Sequence, residues 1–229
     1  MCIINDLTGL FYPRICLICS RRLLEKEKSI CLKCISEMPK TGFHNNPVNN
    51  VARLFWGRIH IENCCSFIYF RKHSKYQRIF HELKYHRNRE VGFEMGRLFG
   101  ADLCCSPLIF TDLLIPVPLH PKRLKSRGYN QSEIIAQGMA SILDKPVITN
   151  ALTRIRNTKT QTNKTRYGRF ENMTNVFKLA ASELIKNKHV LLVDDVVTTG
   201  STLEQCAIEL LKQKDVKVSI ATLGYADLG

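Results

Sequence analysis

The sequence predicts an α/β fold in which helices cover a parallel sheet, preceded by a small cysteine-containing module. Short apolar runs typical of buried strands alternate with segments whose apolar residues recur at helical spacing. The runs at 113–117 and 190–193 are almost wholly apolar, as expected for strands that are covered on both faces. Two closely spaced pairs of cysteines near the N-terminus indicate a separate metal-binding module.

The expected elements follow one another in a regular order. An apolar run predicts a first strand at 64–70, and helical spacing predicts helices at 76–83 and 91–99. After the strand at 113–117 we expect a helix at 134–143, a strand of a small covering sheet at 147–155, a short helix at 182–186, the strand at 190–193, a helix from Ser201 and a last strand at 216–223. This alternation predicts a parallel sheet with binding sites at the carboxyl ends of its strands.

Composition restricts the class of protein without specifying a function. A chain of 229 residues with 45% hydrophobic and 24% charged content is ordinary for a globular protein. No apolar run approaches the roughly 18 residues that a membrane span needs, and the N-terminus lacks a basic leader, so we expect a cytoplasmic protein without membrane insertion. The net charge of +14 favours phosphates, pyrophosphate or nucleic acid as partners, although a solvated basic surface has the same composition.

Four cysteines are spaced as metal ligands. Cys16 and Cys19 form one C-x-x-C pair, and Cys31 and Cys34 form another. Two such pairs in a cytoplasmic chain predict four thiolates around one structural metal ion, with zinc favoured over iron. The chain is accordingly divided into a zinc module at 1–40, a turn-rich linker or hood segment at 41–60 and a main domain at 61–229.

A polar loop joins the strand at 190–193 to the helix that follows it. Asp194 and Asp195 come directly after the apolar run. The loop itself consists of Thr198, Thr199, Gly200, Ser201 and Thr202. Small residues that lead into a helix suit a phosphate, because free N–H groups and the positive end of the helix dipole face the anion. Carboxylates one loop away suit sugar hydroxyls or hydrated Mg²⁺. The alternative is an ordinary strand, turn and helix with a serine cap.

A second polar stretch follows the strand at 113–117. A turn bounded by prolines leads into a series of cations, namely Lys122, Arg123, Lys125 and Arg127. Backbone donors and cations together suit a diphosphate, although each cation is also explained as an exposed, solubilising charge. The stretch 156–172 is polar, basic and almost without aliphatic side chains. We therefore expect a loop there, typical of a lid over a site.

Four features in this order resemble the ComF family of phosphoribosyltransferases, which is associated with DNA uptake and natural competence. They are the double C-x-x-C, the segment Leu83-Lys84-Tyr85, the R-x-x-x-R-G-Y-N-Q run from Arg123 to Gln131, and the acidic pair followed by T-T-G-x-T, which is the motif for phosphoribosyl pyrophosphate (PRPP). Tyr129 stands where Phe is usual. The resemblance implies a type I phosphoribosyltransferase fold, which is a twisted parallel sheet flanked by helices with a small hood.

The resemblance also implies a role for each set of residues. Asp194 and Asp195 would bind the ribose hydroxyls, where Mg²⁺ also coordinates, and the loop 198–202 would hold the 5′-phosphate. Pyrophosphate would lie on a turn and cations formed by Val117, Pro118, Leu119, Arg123 and Arg127. A flexible loop with Thr158, Gln161 and Arg166 would close over the site. Catalysis is assigned to Asp194, Asp195 and Arg123.

These residues predict a Mg²⁺-dependent transferase that displaces pyrophosphate from C1 of PRPP, with a role in DNA uptake. One alternative is a competence protein that binds single-stranded DNA, and another is a sensor that binds PRPP or a nucleotide without turnover. Proteins of the competence machinery and a second copy of the chain are further candidate partners. The acceptor of the sugar has no readable signature, because the segments 41–60 and 144–155 carry no pattern specific to one base.

Overall fold

A parallel sheet forms the centre of the computed structural model, which describes residues 13–155 and 176–226. Its described strands, in chain order, are β1 (Cys64–Phe70), β2 (Leu113–Pro116), β3 (Leu152–Arg154), β4 (Phe177–Leu179), β5 (His189–Val197) and β6 (Lys217–Ala226). Four of them form the central sheet in the order β1-β6-β5-β2, and every neighbouring pair is parallel. β3 and β4 form a separate antiparallel pair. The predicted α/β architecture is confirmed.

Helices lie on both faces of this sheet. The α-helices of the described chain are α1 (Leu32–Ser36), α2 (Asn50–Arg53), α3 (Gln77–His81), α4 (Arg89–Leu103), α5 (Pro121–Arg127), α6 (Gln131–Leu143) and α7 (Ser201–Leu211). A π-helical turn, Glu82–His86, follows α3 directly. Cys64 and Cys65 show how the faces divide: Cys65 packs in the core with α4 and α6, whereas Cys64 packs in the core with α7. Successive strand residues point to opposite faces, and here both faces are buried.

Helices α4 and α6 approach until their backbones touch. A Cβ atom added at Gly96 would lie 2.3 Å from the carbonyl oxygen of Ile135, and one at Gly138 would lie 2.2 Å from that of Phe93. No side chain larger than hydrogen fits at either glycine without moving a helix. The close packing fixes α6 against the sheet, and the start of α6 supplies part of the site described below.

Several predicted boundaries are wrong in informative ways. The strand predicted at 190–193 continues to Val197, because β6 lies beside it and pairs with it as far as Tyr225. The cations after β2 lie on the helix α5, not on an open turn. The strand predicted at 147–155 starts only at Leu152, because the chain bends at 149–151 after Val147 has paired with β2.

The turn-rich segment 41–60 contains the short helix α2. The side chain of Asn49 caps this helix by accepting from the N–H groups of Val51 and Ala52, and its amide donates to the carbonyl of Cys64 at 2.7 Å. Phe55 follows the helix and is fully buried. The segment is thereby fastened to the start of β1 and to the core on the α7 side.

The cysteine module packs directly on the main sheet. Its buried residues, such as Cys16 and Ile30, share one apolar cluster with Met95 of α4 and Leu191 of β5. Polar contacts reinforce the junction: the hydroxyl of Tyr76 donates to a carbonyl of the module at 3.0 Å. Among the described residues, no helix is long and apolar enough to cross a membrane.

Candidate functional site

The two adjacent carboxylates lie at the carboxyl end of β5. The pairing of β5 with β2 ends at Val193, whereas its pairing with β6 continues through Asp194 and beyond. Asp194 and Asp195 therefore stand on a part of β5 that projects past the end of β2. This is the edge at which ligands of open parallel sheets bind.

Asp194 is held by neighbours that make its carboxyl hard to ionise. Its Oδ1 accepts from the hydroxyl of Ser132 at 2.8 Å and from the N–H of Asp195 at 2.8 Å. Burial, and after it the charge of Asp195, raise the pKa of Asp194, whereas the two hydrogen bonds lower it, and the net result is a rise from 3.8 to about 7. The carboxyl of Asp194 thus changes its charge near neutral pH. In this range a bound cation or sugar hydroxyl would shift its protonation equilibrium.

Asp195 is paired with a cation from a distant part of the chain. The Nζ atom of Lys84 lies 3.3 Å from Asp195 Oδ2. Lys84 belongs to the π turn, and the preceding carbonyl, that of Leu83, accepts from the hydroxyl of Tyr129 at 2.6 Å. The Leu83-Lys84-Tyr85 segment and the Gly-Tyr-Asn-Gln run are therefore joined in space.

The loop after β5 encloses a small cavity. Residues 198–203 line it together with Asp194 and the last residues of β5, and its volume is about 50 Å³. Helix α7 begins at Ser201 with Gly200 as its cap residue, and no described side chain caps it. The first N–H groups of a helix have no partner within the helix, so here they remain for a ligand.

Gly200 is required at this loop for two reasons. Its φ of +75° lies in the left-handed region, which side chains disfavour. A Cβ atom there would also lie 3.1 Å from the ring of Phe55. The segment that carries Phe55 therefore packs against the loop, and Asp194 lines the cavity that the loop encloses.

The predicted pyrophosphate turn lies beside the same strand end. The N–H of Val117 donates to the carbonyl of Val193 at 2.9 Å, and the carbonyl of Val117 accepts from the Asn130 side chain at 3.0 Å. Asn130 also caps α6 by accepting from the N–H of Ser132. One asparagine thus fixes both the turn and the helix start that presents Ser132 to Asp194.

The predicted cations differ in where they lie. Arg123 is close enough to Arg154 to influence it: burial lowers the pKa of Arg154, Arg123 lowers it further, and Asp194 acts in the opposite direction. Arg123 and Asp194 therefore both act electrostatically on Arg154. Arg127 instead donates to the side chain of Gln131 at 2.7 Å, which ties it to the start of α6. Its assignment to pyrophosphate stays a prediction.

The four cysteines of the two C-x-x-C pairs come together as predicted. Their Sγ atoms all lie within 4.8 Å of one another, and those of Cys19 and Cys31 are 3.7 Å apart. Burial raises the pKa of the Cys16 thiol, but backbone N–H groups, including those of Ile18 and Cys31, outweigh it and bring the value to about 7. The donor set fits a closed tetrahedral zinc site.

The sequence of this chain is similar to a known protein family and to several curated proteins. The family model of the phosphoribosyl transferase domain matches residues 130–226, which include the two carboxylates and the loop 198–202. Competence protein F of Haemophilus influenzae is 39% identical over 107 residues, which are 46% of this chain and 46% of that protein. DNA utilization protein YhgH of Escherichia coli K12 is 32% identical over 146 residues, or 62% of this chain and 63% of that protein. The chain spans about half to less than two thirds of these relatives.

A longer match is to Competence protein ComFC of Bacillus subtilis, which is 26% identical over 96% of this chain and 98% of that protein. It extends the likeness across the cysteine module as well as the sheet. The resemblance to ComF proteins therefore extends over nearly the whole chain. The predicted type I phosphoribosyltransferase fold with an N-terminal cysteine cluster is confirmed.

Two solved structures show only a weak likeness to this chain. A glutamine PRPP amidotransferase from B. subtilis complexed with ADP and GMP has 18% identity and a TM-score of 0.39, covering 58% of this chain and 26% of that one. A hypothetical protein from Neisseria gonorrhoeae with bound ppGpp has 19% identity and a TM-score of 0.40, covering 61% and 72%. These scores are too low to carry an argument.

Sequence reasoning assigned no role at the site to Lys84, Asn130, Ser132 or Arg154, although Lys84 and Asn130 lie in the two motifs that it named. An asparagine two residues before a serine at a helix start is a capping signal that would have pointed to the start of α6. Arg154 had no local signal. The flexible-loop residues Thr158, Gln161 and Arg166 lie outside the described residues.

Proposed function

We propose that this chain binds PRPP with Mg²⁺ and catalyses transfer of its phosphoribosyl group, with displacement of pyrophosphate from C1 of the ribose. One observation carries the proposal. A cavity at an uncapped helix start opens directly beside two adjacent carboxylates on the same strand end. Phosphate and ribose are the two groups that such neighbours suit, and they are joined in PRPP.

The cavity after β5 is suited to the 5′-phosphate. A water molecule needs about 10–15 Å³ of such space, so about 50 Å³ accommodates the oxygens of one phosphate group. The N–H groups at the start of α7 and the hydroxyls of Ser201 and Thr202 supply donors, and the helix dipole adds positive potential. The contact of Gly200 with Phe55 keeps these donors in place before the ligand arrives.

The carboxylates are suited to the ribose and its cation. Asp194 and Asp195 can accept from the 2′- and 3′-hydroxyls at the strand end. Mg²⁺, when bound with PRPP, would neutralise the diphosphate and make it a better leaving group. Lys84 offsets the charge of Asp195, and Ser132 orients the carboxyl of Asp194. The chain's own contribution is thus to orient the sugar over a carboxylate pair.

The leaving group requires cations on the other side of the ribose. When the C1–O bond breaks, its electron pair goes to pyrophosphate, and the acceptor forms the new bond at C1. Arg123 and Asp194 both act electrostatically on Arg154, which supports placing the departing negative charge beside α5 and the turn at Val117. The acceptor remains open in this proposal.

The names of the relatives suggest the cellular setting. The relatives similar in sequence to this chain are named competence proteins in Haemophilus and Bacillus and DNA utilization proteins in enteric bacteria. We therefore place the transfer reaction in the uptake or use of DNA, with the chain acting in the cytoplasm.

Calorimetric titration with PRPP in the presence and absence of Mg²⁺ tests the site. Asp194→Asn/Asp195→Asn should abolish Mg²⁺-dependent binding. Asp144→Asn/Asp215→Asn is a matched control, since both residues are exposed, have a positive φ that Asn tolerates, and remove the same charge. Unchanged affinity in the first double variant would rule out the site. Tight binding without pyrophosphate release, across a panel of nucleobases, would identify a sensor instead of an enzyme.

A second candidate function is binding of single-stranded DNA by the cysteine module. Its cations Arg22, Lys26 and Lys28 are exposed, and exposed apolar side chains such as Leu24 lie among them. Affinity should fall steeply with salt, because phosphate contacts release counterions. Lys26→Gln/Lys28→Gln should reduce the slope of log affinity against log salt by about one per lysine, whereas the exposed control pair Lys186→Gln/Lys188→Gln should not. No binding at low salt would eliminate this candidate.

A further inference from the structure

The π turn carries two histidines and a glutamate on one side. His81, Glu82 and His86 each offer a ligand atom, and these three atoms all lie within 4.8 Å of one another. The two imidazole rings are 5.1 Å apart between centroids. None of these residues belongs to the four-cysteine cluster or to the carboxylate pair.

The π turn is what brings the two histidines together. In an α-helix, residues five apart are separated by roughly 140° around the axis and face different directions. The π-helical hydrogen bond runs from residue i to i+5 and so brings residues five apart onto the same side. The turn spans Glu82–His86 directly after His81, and it ends at Arg87 with a positive φ of 55°. Such turns are rare and occur frequently at functional sites.

The three side chains are free to act as ligands. Within the described chain, no hydrogen bond or ion pair engages the imidazole of His81 or His86 or the carboxylate of Glu82. Both histidines are exposed and the glutamate is half-buried. Ligand atoms on one tetrahedral zinc ion are about 3.3 Å apart, given bonds of about 2.0–2.1 Å. Rotation about the side-chain torsions can bring the three ligand atoms from within 4.8 Å of one another to this shorter distance.

We propose that His81, Glu82 and His86 form a second metal site, which binds a divalent transition metal such as Zn²⁺ through two imidazole nitrogens and one carboxylate oxygen. Imidazole ligands favour Zn²⁺, Co²⁺, Ni²⁺ or Cu²⁺ over Mg²⁺ and Ca²⁺, which prefer oxygen. Three protein ligands leave a fourth position open, unlike the closed four-cysteine cluster.

The surroundings provide room at that open position. His81 and Glu82 line a cavity of about 620 Å³ between the cysteine module and α4. Its charged lining includes the cations of Arg14, Lys28 and Arg78 and the carboxylates of Glu82 and Glu90. The same turn carries Lys84, whose Nζ reaches Asp195. A metal bound across the turn would therefore hold the backbone that presents Lys84 to the carboxylate pair.

Metal counting on untagged, full-length protein tests the proposal. With the cysteine cluster already loaded with zinc, dialysis against Zn²⁺ should add a second equivalent. Loss of a residue that only supports a ligand lowers metal affinity by roughly tenfold or more. His81→Gln or His86→Gln removes a ligand itself, so each should weaken binding of the second equivalent by more than roughly tenfold. His60→Gln is the matched control, because His60 is exposed and lies 3.4 Å from a single carboxylate, that of Glu62. It should leave the second equivalent unchanged.

Co²⁺ titration of the zinc-loaded protein gives an independent readout. The expected result is weak visible absorption of a nitrogen- and oxygen-ligated ion that disappears in folded His81→Gln and His86→Gln, as checked by circular dichroism. The proposal is overturned if the unsubstituted chain takes up no second equivalent, if both variants retain it, or if His60→Gln loses it as well.

Discussion

The cysteine module and the carboxylate site are built in opposite ways. The module's four ligands come from 19 consecutive positions, 16 to 34, and meet through two local turns. The carboxylate site takes its groups from four distant parts of the chain: Lys84 on the π turn, Ser132 on α6, Arg154 on β3 and Asp194 on β5. A metal ion can organise the first, whereas only the complete sheet with its helices can assemble the second.

This difference determines how each region should respond to damage. Losing one cysteine should disrupt the module and the junction it makes with α4, because a metal ion held by all four thiolates would supply folding free energy. Losing one polar group at the sheet edge should leave the fold intact, since the backbone that carries the site is held by buried strands and helices. The predictions below test that contrast, beginning with the largest expected effect.

Cys31→Ser should have the largest effect, because Cys31 is buried and lies in the four-cysteine cluster. Structural zinc contributes roughly 10 kcal/mol or more to folding in isolated zinc fingers. We expect loss of one tightly bound metal equivalent and the largest fall in Tm of the variants considered, measured by metal analysis and calorimetry. Cys105→Ser removes an exposed thiol outside the cluster and should change neither quantity. Equal metal content in the two variants would contradict the assignment.

Gly200→Ala should destabilise the phosphate loop. A side chain at positive φ costs about 1–2 kcal/mol, and the new methyl would press on the ring of Phe55. Gly57→Ala separates the two costs, because Gly57 has a φ of +70° and no heavy atom lies within 4 Å of the place that its methyl group would occupy. Urea unfolding should show a larger loss for Gly200→Ala. PRPP affinity should fall in that variant alone, and equal losses would mean that Phe55 does not support the loop.

Asp194→Asn should change the pH dependence of stability. The folded chain keeps the Asp194 proton up to a pKa of about 7, whereas the unfolded chain releases it near 3.8. The folded state therefore binds more protons in this interval, and the contribution of Asp194 to stability falls as pH rises from about 4 to about 7. In the absence of ligand, urea unfolding should show a flatter profile for Asp194→Asn than for the exposed control Asp144→Asn. Parallel profiles would disprove the raised pKa.

Lys84→Met should have the smallest effect on stability, under about 1 kcal/mol, because partly exposed ion pairs contribute little. Its effect on the site should be easier to detect. The charge of Lys84 lowers the pKa of Asp194, so its removal should move the carboxyl titration to higher pH, as followed by NMR. Lys212→Met breaks a comparable pair with Glu209 on α7 and should leave that titration in place. If the Asp194 titration were the same in Lys84→Met as in the unsubstituted chain, Lys84 would have no electrostatic effect on the site.

Local sequence patterns were sufficient to predict the structure where residues close in sequence are also close in space. The cysteine pairs, the acidic pair and the small-residue loop each act within one turn or one strand end, so their spacing predicted their geometry. The start of α7 at Ser201 was placed correctly for the same reason. The alternation of apolar runs also predicted the parallel sheet, because periodicity depends on which face is buried.

The lengths of the strands and the contacts between distant side chains could be known only from the tertiary structure. β5 extends past Val193 only because β6 lies beside it, and apolar composition ends before the strand does. The π turn at Glu82–His86 looks like an ordinary helical continuation in sequence, yet it presents Lys84 to Asp195 and brings His81 beside His86. Such contacts depend on how distant segments pack.

The sequence by itself therefore determined the class of fold, the cysteine cluster and the strand end that carries the carboxylates and the phosphate loop. Only the tertiary structure decided which side chains complete that site, namely Ser132 on Asp194, Lys84 on Asp195 and Arg154 beside Arg123. The physical reason is that hydrogen bonds and charges act over a few ångströms in space. Residues more than a hundred positions apart meet only after the sheet and its helices have packed.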